Sequence, residues 1–155
     1  MSNFRALLPD VTTFIFEYDS CFAPYYVDQL ISHEMSHIYQ YERFGLFKCY
    51  YMSFFEMWKC EGFSDYVANN STLRVPLGKR MFMEGRYSDD ALGVSESFFT
   101  NYFVGRLRTD YLLGYKHVPE DEYWETDYDV EKLDEEIRQA LKAGEYQIFR
   151  QNDYE

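Results

Sequence analysis

Between Asp28 and Gly45 the chain repeats Leu30, Ile31, Glu34, His37, Ile38, Tyr41 and Phe44 at intervals of three and four. That period matches a helix, and glycine is the residue that most readily adopts the left-handed conformation that stops one. The spacing predicts a helix of about four to five turns ending at Gly45. Inside it stands His33-Glu-Met-Ser-His37. Residues four apart on a helix share a face, so His33 and His37 present two imidazole nitrogens to one point. Glu34, turned by about 100°, reaches a water held there. The competing reading of so short a pattern is an exposed helix carrying two ordinary histidines. The chain has only three histidines, and two of them stand in this motif.

A catalytic zinc takes three protein ligands and a water, the third ligand often being a carboxylate. Ser53-Phe-Phe-Glu56 reads as a capping box opening a second helix, which carries MWKCEGFSDYVA and stops at Asn69 and Asn70. Within it Glu61 is the candidate third ligand. Asp65, four residues on, shares its face and is placed to accept the outer N–H of a ligand histidine. Gly62 and Ser64 are small, as expected where helices approach closely around an ion, since glycine inside a helix otherwise costs about 1 kcal/mol against alanine. Cys60 points about 100° away from Glu61 and is expected as a buried thiol. Trp58 is expected beneath the site.

HEMSH followed by EGFSD resembles the gluzincin group of zinc metallopeptidases, the thermolysin-like zincins, in which H-E-x-x-H lies on an active-site helix and a second helix carries E-x-x-x-D. The flanks HIYQYERFG and W-x-x-EGFSDYVA are similar to small gluzincin-like proteins. The likeness covers residues 28 to 70, with a weaker echo in ESFFTNYFVGRLRTDYLL. It implies His33, His37 and Glu61 as Zn2+ ligands, Glu34 as general base and Asp65 as the outer partner of a ligand histidine. Larger relatives place most of a β-sheet before the motif, whereas this chain has about 30 residues there, implying a minimal scaffold. The His or Tyr that relatives aim at the oxyanion has no secure counterpart; Tyr102, Tyr111 and His117 are the candidates.

The remaining elements are read from local pattern. VTTFIFEY (Val11 to Tyr18) is the best strand candidate. Pro76 and Gly78 suggest a loop, and Asp89 or Asp90 a cap for a third helix running to Gly114, with Gly93 and Gly105 as possible breaks. DVEKLDEEIRQALKAG is amphipathic through Val130, Leu133, Ile137 and Leu141, with Gly144 after it. Glu120 to Glu136 reads as a solvated acidic loop entering that helix. The tail EYQIFRQNDYE is expected to pair with the sheet, lie across the cleft or remain a disordered end.

With 155 residues, 46% of them hydrophobic, one domain with a packed core is expected. The aromatic fraction of 21%, including 16 Tyr and 14 Phe, points to buried rings with wet hydroxyl ends. A formal charge of -12 argues against nucleic acid or an anionic membrane as partner, and favours a basic or neutral substrate. No segment approaches the apolar run of about 20 residues needed to span a bilayer, and three cysteines without a CxxC pair suit reduced thiols, so a cytoplasmic protein is expected.

The expected fold is α+β and mostly helical: a single minimal zincin-like domain over 1–155 with an active-site helix, a second metal-ligand helix and a small N-terminal β element. The expected activity is zinc-dependent hydrolysis of a peptide or related amide bond in a peptide or protein substrate, with Glu34 taking the proton of the attacking water. The alternatives are a non-catalytic zinc-stapled module that binds a protein partner, and a metal-free aromatic-rich interaction protein.

Overall fold

Helix α1 (Val27–Phe55) lies along α2 (Met57–Ala68), and α2 lies in turn along a long helical run. The computed structural model describes Ala23 and residues 26–149. After α2 come α3 (Val75–Met83), a short 3₁₀ turn at Asp90–Leu92, and a continuous run over residues 96–115, here α4. In α4, α-helical Glu96–Phe98 and Gly105–Thr109 alternate with π-helical Phe99–Val104 and Asp110–Tyr115. Helices α5 (Glu120–Glu125) and α6 (Val130–Ala143) complete the described chain. The architecture is mostly helical. Among the described residues β-structure is limited to bridge positions: Asp89 paired antiparallel with Val94, and Leu73. The candidate strand Val11 to Tyr18 lies outside the described residues, as do Cys21 and the end of the tail. No described helix is long and apolar enough to cross a membrane.

Gly45 does break the first helix, with φ 74° and ψ 165°, but the helix resumes directly and runs on to Phe55. The periodic apolar positions do not mark its buried face. His33, Ser36 and Gln40 are buried against α2, while Ile31, Ile38 and Tyr41 are exposed. Beyond Gly45, Cys49 and Met52 turn inward and Leu46, Phe47, Tyr50, Tyr51, Phe54 and Phe55 outward. The face of α1 that meets α2 is therefore polar, because it carries the groups of the site.

The predicted capping box at Ser53 is not formed. Ser53 sits inside α1 and donates its hydroxyl to the Cys49 carbonyl at 2.8 Å, while Glu56 accepts from the buried Lys59 ammonium at 2.7 Å. Helix α2 nevertheless occupies the predicted Met57–Ala68 and ends at Asn69, whose φ of 52° is left-handed. The predicted loop at Pro76 and Gly78 is instead α3. Pro76 falls in its first turn, where a missing N–H does no harm. Gly78 lies against the Phe103 ring, where a Cβ would stand 2.3 Å from Cε2.

Asp89 caps only the 3₁₀ turn, accepting from the Leu92 N–H at 3.3 Å; Gly93, at φ +67°, ends that turn. Ser95 then caps α4 by accepting from the Phe98 N–H at 3.3 Å. Gly105 does not interrupt α4. It faces Gly62 across the α2–α4 contact, where a Cβ on Gly62 would meet the Gly105 carbonyl carbon at 2.3 Å and one on Gly105 would meet the Trp58 carbonyl oxygen at 2.6 Å.

The acidic stretch from Glu120 is not merely solvated. Tyr123 and Trp124 are buried, Glu120 receives the Tyr39 hydroxyl at 2.7 Å and the Arg43 guanidinium at 2.5 Å, and Asp121 also pairs with Arg43. Two charges on this turn thereby tie α5 to α1. Helix α6 is as the pattern predicted, capped by Asp129 accepting from the Lys132 N–H at 3.2 Å and stopped at Gly144 with φ +72°. It is anchored on α4 by Arg108, whose Nε and Nη2 donate to the two Asp134 oxygens at 2.7 and 2.8 Å in a buried bidentate pair. The aromatic core includes the stacked Phe99 and Phe103 rings, and Trp58 packs on Tyr123 and Tyr128.

Candidate metal centre

Helix α1 contributes His33 and His37, one turn apart, and α2 contributes Glu61 from its second turn. The His33 Nε2 and His37 Nε2 atoms are 3.2 Å apart, and Glu61 Oε2 lies 3.3 Å from the first and 3.6 Å from the second. Ligand bonds of about 2.0–2.2 Å meeting at the tetrahedral angle place donors about 3.3–3.6 Å apart. The triangle is thus the size of one face of a tetrahedral site. Its donor set of two imidazoles and a carboxylate suits a borderline divalent ion. All three side chains offer a ligand atom within 4.8 Å of the others, so the residues fit a zinc-type ion.

Their surroundings prepare the geometry. His33 is buried, and its Nδ1 faces Asp65 Oδ1 at 2.9 Å; with the proton on Nδ1, Nε2 is left free toward the triangle. Asp65 is itself fixed by the Thr72 hydroxyl, which donates to Oδ2 at 2.9 Å. Glu61, Ser64 and Asp65, at spacings of three and four, share one face of α2. That face supplies one member of the triangle and neighbours of both histidines. In the sequence Ser64 reads only as a small residue. The signal that could have singled it out is its place three after Glu61 and one before Asp65.

The site concentrates negative potential. Burial opposes protonation of His33, but hydrogen bonds and charge from Asp65 and Glu61 outweigh it and push its pKa up to about 9 with no ion between the groups. Burial likewise opposes ionisation of Glu61, yet the two imidazoles bring it down to about 2. Cys60 is buried as expected; burial pushes its thiol up to about 12, which keeps it protonated and a poor metal ligand.

Glu34 is exposed on the next position of α1, and with His37, Tyr41, Ser53, Met57 and Glu61 it lines a cleft of about 310 Å³. Of the three oxyanion candidates, Tyr102 comes to this side. It lies in the first π-helical stretch of α4, where each turn carries an extra residue and displaces the side chains that follow. Burial, then the charges of Glu61, Asp65 and Glu34 and a hydrogen bond to Glu61, push its hydroxyl up to about 12. Tyr111 does not join the group: it is buried in the core, and its hydroxyl donates to Glu136 at 3.0 Å. Nor does His117, which lines a separate cavity with Arg106, Asp110 and Tyr146 at the far end of α4.

No family model, curated protein or solved structure matches the chain.

Proposed function

We propose that the chain is a zinc metallopeptidase of the gluzincin type, hydrolysing a peptide or related amide bond. The reading rests on one observation: the triangle of His33 Nε2, His37 Nε2 and Glu61 Oε2, with edges of 3.2, 3.3 and 3.6 Å, has a free carboxylate, Glu34, on the same cleft. A purely structural ion has no use for that carboxylate.

His33, His37 and Glu61 would hold the ion, which when bound lowers the pKa of a water toward 7 and polarises a carbonyl. Asp65 keeps the His33 proton on Nδ1. Glu34, on the same cleft and open to solvent, takes the proton of the attacking water and returns it to the leaving amine. Tyr102, held protonated at neutral pH, has a hydroxyl proton to donate to the oxygen of the scissile carbonyl as negative charge develops on it. The cleft beside Glu34 is bounded by Tyr41, Ser53 and Met57 and accepts the substrate chain.

The test combines native mass spectrometry for bound zinc with cleavage of a broad peptide library by the purified chain and by Glu34→Gln. One zinc per chain is expected in both, with turnover falling by about 10²–10⁴-fold in the variant. Well under one zinc per chain after zinc is supplied would refute the proposal. Stable zinc without turnover in either protein would leave a zinc-stapled binding module in its place.

A further inference from the structure

Beyond Gly45, α1 turns toward solvent an apolar face that the described residues leave uncovered. Leu46, Phe47, Tyr50, Tyr51, Phe54 and Phe55 are all exposed, Phe47 at 90% and Phe55 at 71%, while Cys49 and Met52 on the opposite side are buried. Spacings of one and three alternate along the six, which on a helix makes two adjacent rows of four-residue steps: Leu46, Tyr50, Phe54 and Phe47, Tyr51, Phe55. Rings touch along both rows, Tyr50 on Phe54 and Tyr51 on Phe55, each pair with centroids 4.8 Å apart. At about 200 Å² for a large side chain, weighted by exposure, the face presents about 800 Å². The largest apolar patch on a typical monomer is about 300–600 Å².

We propose that this face is a two-fold interface through which two copies of the chain pair, the ends of their α1 helices crossing antiparallel. Area, pattern and charge choose a second copy. The face supplies one side of a standard stable interface, about 800 Å² per partner. Its apolar pattern reads the same in both directions. A two-fold axis between positions 50 and 51 therefore sets Leu46 of one copy toward Phe55 of the other, Phe47 toward Phe54 and Tyr50 toward Tyr51, the self-complementarity that such a contact requires. Rows of four-residue steps on two helices interdigitate at a crossing of about 50°, which suits a contact about 15 Å long. Residues 46–55 hold one charge, Lys48, whose ammonium lies over the Phe44 ring at 4.8 Å. The face thus adds little repulsion to the -12 that each copy carries, and it has no cluster of cations to hold a nucleic acid or an anionic bilayer. From this stretch the cleft beside Glu34 takes Cys49 and Ser53, so pairing uses other side chains than the proposed catalysis does.

The pairing does not depend on the peptidase reading and is tested without substrate or zinc. Interfaces of this size hold with micromolar or tighter constants, so sedimentation equilibrium of the full chain up to about 100 μM should show a particle of twice 18.7 kDa. Phe47→Glu and Phe54→Lys should each raise the dissociation constant by about 30-fold or more, with circular dichroism unchanged because both side chains are exposed in the single chain. Ile31→Glu, at an exposed position of α1 before Gly45, should leave the dimer intact. Mixed in equal amounts, the Phe47→Glu and Phe54→Lys proteins should pair again. Position 47 of one then meets position 54 of the other as an ion pair, and the reciprocal contact is two phenylalanines. A monomer at the highest concentration overturns the proposal and leaves the face to another molecule or another part of the chain. So does a dimer that Phe47→Glu and Phe54→Lys leave intact, an equal loss in Ile31→Glu, or an open-ended series of larger species. Variants that stay monomeric when mixed overturn the antiparallel two-fold pairing.

Discussion

Gly62→Ala sets two effects of known sign against each other. Helix propensity favours alanine over an interior glycine by about 1 kcal/mol, so an α2 exposed at this point would be stabilised. The α2–α4 contact reverses that. A Cβ at residue 62 would stand 2.3 Å from the Gly105 carbonyl carbon, 2.4 Å from its oxygen and 2.9 Å from the Arg106 nitrogen. All three are backbone atoms of a helix, so no side-chain rotation relieves the overlap. Reaching the 3.4 Å at which ordinary contact begins requires α2 and α4 to part by about 1 Å. Overpacking of this kind costs about 1–3 kcal/mol, enough to exceed the propensity gain. Net of the propensity gain the loss is up to about 2 kcal/mol, so at about 2–4 °C per kcal/mol Tm should fall by up to about 8 °C. Because Glu61 is the neighbouring residue, and metal sites tolerate about 0.2 Å in ligand distance, zinc affinity should fall with it by at least tenfold. Thermal denaturation with and without zinc, together with chelator competition, reads both. A Gly62→Ala protein that melts higher and binds zinc as before would refute the close approach and the rigidity that the site draws from it.

Three further outcomes are expected. Asp65→Asn removes the charge behind His33 and should weaken zinc by about 10–100-fold, with the His33 pKa of the metal-free protein falling from about 9 in an NMR titration; an unchanged pKa would contradict the pairing. In the metal-free protein, the raised His33 pKa contributes stability that is fully present below about 6.5 and lost as pH rises through about 9. The lowered Glu61 pKa contributes stability present above about 4.5 and lost as pH falls through about 2. Their joint contribution should therefore be greatest between about pH 4.5 and 6.5, and denaturant unfolding across pH checks whether it declines on the alkaline side. Tyr102→Phe should keep zinc and KM while kcat drops by about 10²–10³-fold; an unchanged kcat would remove Tyr102 from the reaction.

Much of the site was legible because helical spacing is local. His33 and His37 at i and i+4, and Glu61 and Asp65 at the same spacing, share faces wherever a helix forms, and the limits of α2 and α6 follow from Asn69 and Gly144. Elsewhere tertiary contact overrules local signals. Gly78 looked like a loop residue, but is glycine because the Phe103 ring occupies the space of a side chain. Ser53 carried the pattern of a cap, yet the preceding helix ran through it. The Glu120 stretch looked solvated because the rings and the Arg43 partner that hold it lie outside its charge pattern.

By itself the sequence determined which residues share a helical face, since 3.6 residues per turn is a property of the backbone. Only the tertiary structure decided that His33, Ser36 and Gln40 turn inward while Ile31, Ile38 and Tyr41 face outward, that Gly62 meets Gly105, and that Ser64 reaches His37. Those outcomes depend on how helices are pressed together, and the groups that meet across the contact, such as Gln40 and the Cys60 carbonyl, are about 20 or more residues apart in the chain. No local period encodes such a meeting. It is settled by the summed packing and hydrogen bonding of both faces at once.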